Sequence, residues 1–211
     1  MRIRTRVHTA KGRSVSSTRW LERQLNDPFV AAAKKAGYRS RAAFKLVEIA
    51  DHFDLLRRQN VVLDLGAAPG SWSQVALTRG CRVVAVDINP MEALDGVETH
   101  QADVLDHGAL QPIVQALAGH CDAVLSDMAA PATGHRGTDH DRVLTLCEAA
   151  FEVAEKVLKP GGTFVAKILR GGTEADLTRR LKTRFATVKN YKPKASRSDS
   201  AEMYVVASGF R

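Results

Sequence analysis

The sequence has no run of apolar residues approaching the ~18 that a membrane span requires. Its 211 residues are enough to bury a full core in one ordinary domain. Cysteine is scarce. Cys81, Cys121 and Cys147 are odd in number, far apart and not in metal-ligand spacing. That excludes a disulfide framework and a cysteine-based zinc site, so they read as reduced core thiols and no metal is expected. Aromatic residues make up only 6%, which leaves Ala, Val and Leu to build most of the core. Two nucleotide signatures are missing as well: the G-x-G-x-x-G turn of dinucleotide binders and the G-x-x-x-x-G-K phosphate loop. Met1-Arg2-Ile3-Arg4-Thr5-Arg6 is basic, but no apolar stretch follows it. No secretory signal is therefore expected, and the expected compartment is the cytoplasm, with no membrane partner.

Positive charge is plentiful and unevenly placed. The net charge is +8. Met1 to Lys45 holds 12 Lys/Arg against 2 Asp/Glu, and Lys156 to Arg211 holds 13 against 4. Between them, Leu46 to Glu155 holds 6 against 17. A basic head and tail that a fold could bring together point to a polyanion partner, of which nucleic acid is the usual one. The RNA-contact candidates are Arg19, Lys34, Lys35, Arg39, Arg41, Lys192, Lys194 and Arg197. Tyr38 could stack on a base or pack half-buried.

Residues 1–18 are basic and Ser/Thr-rich and read as a flexible arm; 19–211 read as a single domain. Short helical pieces break at Asn26-Asp27-Pro28 and Gly37, and Ser40 is the expected N-cap of the next helix. Strands are then expected at 61–65, 81–86, 97–102, 121–126 and 163–169. Helices are expected between them, the longest at 139–158 and ended by Lys159-Pro160-Gly161-Gly162. Strands at 185–191 and 202–208 have no helix between them and should pair antiparallel. Repeated βα units predict an α/β fold: a seven-stranded, mostly parallel, Rossmann-like sheet with helices on both faces and an antiparallel edge strand.

The clearest local signal is Asp64-Leu65-Gly66-Ala67-Ala68-Pro69-Gly70-Ser71-Trp72, where a first strand turns into a first helix. Ligands of such sheets bind beyond the carboxyl ends of the strands. Gly66 and Gly70 allow a tight turn and close backbone approach. A cofactor held there need not carry phosphate. S-adenosylmethionine has none, and its amino-acid end could meet Asp64 and the turn. Asp87 ends the second strand, where an acid would accept from both hydroxyls of an adenosine ribose; a turn-forming role is the alternative. Asp103 could meet the adenine amino group or cap a helix. Asp127 ends the fourth strand. Lys167 sits inside the apolar run Phe164-Val165-Ala166-Lys167-Ile168, where a charge is costly without a partner or a function. Glu202 opens the last strand.

With these residues in view, the chain resembles the RrmJ/FtsJ family of ribosomal large-subunit methyltransferases. The resemblance runs from Ser17-Thr18-Arg19-Trp20 to the C-terminus. It is carried by Arg39-Ser40-Arg41-Ala42, Phe44-Lys45-Leu46, the Asp64–Gly70 turn, Ser126-Asp127-Met128, Val165-Ala166-Lys167 and Glu202. It implies a catalytic tetrad at Lys45, Asp127, Lys167 and Glu202. It implies S-adenosylmethionine contacts at Gly70, Trp72, Asp87, Asp103 and Asp127. The implied substrate is a uridine ribose of 23S ribosomal RNA in the 50S subunit, methylated by a monomer. Lys167 could take the 2′-hydroxyl proton, which burial beside Lys45 would favour by disfavouring the charged amine. Alternatively, a charged Lys167 could stabilise the developing alkoxide. Asp127 would orient Lys167, and Glu202 would position the ribose or Lys45. Two positions depart from the family pattern: Ser71 replaces a second Gly, and Ala129–Gly134 differs from the common loop. Other readings stay open: a methyltransferase of transfer RNA or another RNA, a non-catalytic assembly factor, and, far behind, an oxidoreductase on the same fold.

Overall fold

The computed structural model describes residues 18, 21, 22, 24–171 and 174–211. The arm expected at 1–18, apart from Thr18, lies outside them, as do Arg19 and Trp20. After helical residues at 18, 21, 22, 24 and 25, α1 spans Pro28–Lys35, with Asp27 accepting from the Phe29 amide as N-cap and Pro28 in the first turn. Helix α2 spans Ala43–Phe53. Its N-cap is Ala42 and not Ser40. Ser40 accepts from the Ala42 amide and shares a 2.7 Å hydrogen bond with Ser71, so its hydroxyl ties two segments together.

The alternating part follows the expected order. It runs β1 Val61–Leu65, α3 Ser71–Thr78, β2 Arg82–Asp87, β3 Val97–Gln101, α4 His107–Leu117, β4 Cys121–Ser126, α5 Arg136–Val157, β5 Leu158–Leu169, α6 Glu174–Arg184, β6 Phe185–Tyr191 and β7 Glu202–Phe210. The seven strands lie in the order β3-β2-β1-β4-β5-β7-β6. β7 runs antiparallel to both its neighbours, one place in from the β6 edge. The Pro-Gly-Gly stretch does not separate helix from strand as expected. β5 pairs with β4 from Leu158, and the register shifts from Cys121↔Leu158 to Ala123↔Thr163. Residues 159–162 therefore bulge out of register, with Gly161 at φ +82°.

Alternation along the strands sends side chains to two cores. One face packs Leu63, Val84, Phe164 and Val205 against α4, α5 and α6, with Phe151 and Leu181 among them. The other packs Val62, Leu125, Val165 and Val206 against α2 and α3, with Leu46, Ile49, Trp72 and Val75. All three cysteines are buried free thiols, and burial pushes Cys121 and Cys147 up to about 12. No described helix is long and apolar enough to cross a membrane. The sheet order reverses between β1 and β4. Their C-terminal ends therefore open the crevice in which such folds hold ligands.

Candidate active site

Three strands and one helix bring four charged side chains to that crevice. Asp127 follows β4 directly. Lys167 lies on β5, directly across from Tyr204 of β7, and Glu202 stands one pleat further along, across from Leu169. Lys45 comes from the first turn of α2, whose Leu46, Ile49 and Ala50 are buried against the same sheet face. Lys167 Nζ lies 2.8 Å from Asp127 Oδ1 and donates to the Asp127 carbonyl at 2.8 Å. Lys45 Nζ lies 2.8 Å from Glu202 Oε1. The cross pairs are longer: Lys45–Asp127 at 3.9 Å and Lys167–Glu202 at 4.0 Å. Charges thus alternate around a ring, and each cation meets both carboxylates. Both lysines are 9% exposed, so neither snorkels to water.

Two further groups belong to this ring and were not singled out from the sequence. The fully buried Tyr204 hydroxyl donates to Asp127 Oδ1 at 2.6 Å, and Ser196 Oγ donates to Glu202 Oε1 at 2.8 Å. The available signal was period two: Glu202 and Tyr204 share a face of β7. Burial alone would raise the Asp127 carboxyl, but the Lys167 and Lys45 ammonium groups hold it below its ordinary value. Burial and Asp127 raise Glu202, but Lys45 and Lys167 prevail and lower it. Burial, then the carboxylates of Asp127 and Glu202, drive the Tyr204 phenol well above its usual range, so it stays a donor.

Beside Asp127 a cleft of about 440 Å³ runs between the ends of β1, β2 and β4. Its walls are mostly apolar, among them Leu65, Val86, Val104 and Met128, with carboxylates at Asp87, Asp103 and Asp127. Backbone amides of Ala68 and Asn89 fix the Asp87 carboxylate, and the Leu105 amide fixes that of Asp103. Gly66, at φ +75°, is required here: a Cβ would stand 2.3 Å from Met128 Cγ. Gly70, at φ +106°, packs against Arg39 and Met91. An apolar slot with separate acceptors suits a flat ring, a diol and a cationic centre. S-adenosylmethionine offers these groups, and Asp87, Asp103, Asp127 and Gly66 would hold it.

Several expected residues stand elsewhere. Asp64 does not line the cleft. It is buried beneath it, accepts from Ser73 at 2.7 Å and leaves Oδ1 without a partner among the described residues. Burial, with smaller contributions from Asp127 and Asp87, raises it to about 7. The Trp72 side chain turns into the core, donates to the Ala42 carbonyl and lies against Tyr204 at 5.6 Å. Of the basic residues, Arg39 is committed to the carbonyls of Pro69, Glu92 and Ala93. Arg41 pairs with Asp27 and donates to the Ala195 carbonyl, and Arg197 approaches Asp27 at 3.5 Å. Lys192 braces its own loop through the carbonyls of Ser198 and Ser200. Lys34, Lys35 and Lys194 are exposed. Tyr38 is half-buried and packs edge-on against Phe44. Glu48 anchors the β6–β7 loop by accepting from Tyr191 and the Lys194 and Ala195 amides.

A doubly wound seven-stranded sheet with an antiparallel β7, and an acceptor-lined cleft at its switch point, is the Rossmann-like architecture of the S-adenosylmethionine-dependent methyltransferases. The 1,6-didemethyltoxoflavin-N1-methyltransferase of Burkholderia thailandensis, solved with S-adenosylhomocysteine, shares this fold. Its TM-score is 0.57 at 16% identity, covering 92% of this chain and 90% of that one. The chain belongs to the FtsJ-like methyltransferase family, whose model matches residues 38–210. Ribosomal RNA large subunit methyltransferase E of Parvibaculum lavamentivorans is 54% identical over 222 residues, covering 99% of this chain and 87% of its own. A Plasmodium falciparum structure described as a ribosomal RNA methyltransferase superposes with a TM-score of 0.72 at 30% identity, over 82% of this chain and 98% of that one.

Proposed function

We propose that this protein methylates large-subunit ribosomal RNA, at the 2′-hydroxyl of a uridine ribose of the 23S RNA in the assembled 50S subunit. The methyl donor is S-adenosylmethionine. The observation that carries this reading is the ring of Lys45, Glu202, Lys167 and Asp127 at the mouth of the cleft. The names of the curated relatives support the choice of RNA. When bound, S-adenosylmethionine supplies a methyl group on a sulfonium sulfur, which leaves as a neutral thioether.

The protein's own work is to align and activate a poor nucleophile. Lys167 is an ammonium in the resting ring; once it has lost that proton to solvent, its free amine takes the hydroxyl proton onto Nζ while the ribose oxygen forms its new bond to carbon. The ammonium that results is the form that Asp127, at 2.8 Å, and Glu202, at 4.0 Å, pair with. Lys45 keeps Glu202 in place, and Tyr204 keeps Asp127 in place. The nearest alternative product is a methyl group on a base carbon, and the ring holds no cysteine thiol to add to a pyrimidine. The test is transfer of tritium from labelled S-adenosylmethionine into purified large subunits, followed by digestion to nucleosides. The expected product is 2′-O-methyluridine from wild type and none from Lys167→Ala, whose cofactor affinity stays near normal. Label in a methylated base, no label in the subunits, or undiminished label with Lys167→Ala would overturn the reading.

A further inference from the structure

The cofactor cleft meets the charged ring at Asp127, and a larger groove meets it at Glu202. This groove, about 930 Å³, runs between the first turn of α5, the end of β5 and the loop entering β7. Its cations are Arg136, Arg170 and Lys192. It also has four carboxylates, but two are already committed. Asp139 accepts from the Thr133 amide and hydroxyl and from the Gly134 amide. Glu202 is paired with Lys45. That leaves Asp141 and Asp199 against three positive charges.

Arg136 and Arg170 are exposed, and neither guanidinium has a hydrogen-bond or ion-pair partner among the described residues. This sets them apart from the arginines that hold the fold, such as Arg39 on its three carbonyls and Arg41 on Asp27. A guanidinium pinned by protein groups has few donors left for a ligand. A free one can grip a phosphate through two parallel hydrogen bonds. Pockets of about 300–1,000 Å³ commonly hold small ligands, so the groove has room for one nucleotide with its flanking phosphates.

We infer that Arg136 and Arg170 hold the phosphates next to the acceptor nucleotide. The RNA strand then follows this groove past Glu202 and presents its ribose to Lys167. The inference rests on the methyltransferase reading above and adds to it the path of the strand. Arg39 and Arg41, also expected from the sequence to touch RNA, bind protein groups here, Arg39 the carbonyls of Pro69, Glu92 and Ala93 and Arg41 the Asp27 carboxylate.

The test uses the full-length protein and a single-stranded uridine-containing RNA oligonucleotide. Its affinity is measured across a salt series for wild type, for Arg136→Ala/Arg170→Ala, and for the same pair changed to Lys. Each phosphate contact to a single strand contributes about 0.7 to the slope of log affinity against log salt. The double Ala variant should therefore show weaker binding and a slope shallower by about 1.4. The Lys pair should restore most of the slope, and S-adenosylmethionine affinity by calorimetry should be unchanged in all three. An unchanged slope in a variant that still binds S-adenosylmethionine overturns the assignment. Failure of wild type to label ribosomal RNA would sink the methyltransferase reading instead, and the salt series can be run whichever way that assay falls.

Discussion

Replacing Lys167 by Met keeps most of the side chain's volume and removes one charge from a set of four that sums to zero. Asp127 then keeps only the Tyr204 hydroxyl at 2.6 Å and Lys45 at 3.9 Å, and the cluster carries a net negative charge. Removing one partner of a buried pair costs about 3–5 kcal/mol. The side chains involved retain 9–17% exposure, which places this case near the lower end, about 3 kcal/mol. For a chain of this length each kcal/mol moves the Tm by about 2–4 °C, so Lys167→Met should melt about 6–12 °C below wild type. Adding Asp127→Asn removes the stranded carboxylate, with an expected coupling of about 1–3 kcal/mol. The double variant should thus lose less stability than the two single losses summed. Activity should behave differently. Losing a general base costs about 10²–10⁴-fold in rate, and restoring the charge balance does not restore it. Thermal melts and single-turnover transfer on the four proteins form one cycle. A double variant whose stability loss equals the sum would show that the two charges do not act as a pair. Recovery of transfer in the double variant would remove Lys167 from the chemistry.

Two smaller changes probe the supporting residues. Tyr204→Phe removes a charge-assisted hydrogen bond from Asp127 and should cost about 1.5–3 kcal/mol, with a lower kcat and an unchanged S-adenosylmethionine affinity. An unchanged kcat would return Tyr204 to a packing role. Asp64 gives a pH signature. Its carboxyl is raised from 3.8 to about 7, so the unfolded chain releases this proton before the folded one does. The ionised form is penalised only in the fold, so wild type loses stability relative to Asp64→Asn as pH rises from about 4 to 7, by up to about 4 kcal/mol, and no further above that. A stability difference that is flat across this window would contradict the burial of an ionisable Asp64.

How far the site was legible in the sequence depends on what each residue's role requires. Lys167 stood out because a cation inside an apolar strand has to be explained on the spot. Asp87 and Asp103 stood out because strand ends in a doubly wound fold face the ligand. The strands themselves came from local patterns, and α3 and β6 fall where expected. Tyr204 and Ser196 did not stand out. Their roles depend on the register of β7 against β5 and on the path of the β6–β7 loop, and neither leaves a local trace. The loop is set by contacts from afar, with Glu48 of α2 holding residues 194 and 195. The same limit explains Arg39 and Trp72. Both lie in recognisable motifs, but their partners are backbone carbonyls, which no pattern of side chains reveals. The Lys159–Gly162 stretch carried a strong turn signal, and it does turn. It forms a bulge inside β5 because Leu158 still finds a partner in Cys121.

The account stands on a proton moving to Lys167 Nζ as the ribose oxygen is methylated. Single-turnover rates of methyl transfer, measured with saturating S-adenosylmethionine from neutral to alkaline pH, address this directly. The account predicts a rate that climbs with pH to a plateau, with the climb absent from the residual rate of Lys167→Met. A wild-type rate that stays level across the range would contradict it and leave Lys167 as a fixed charge.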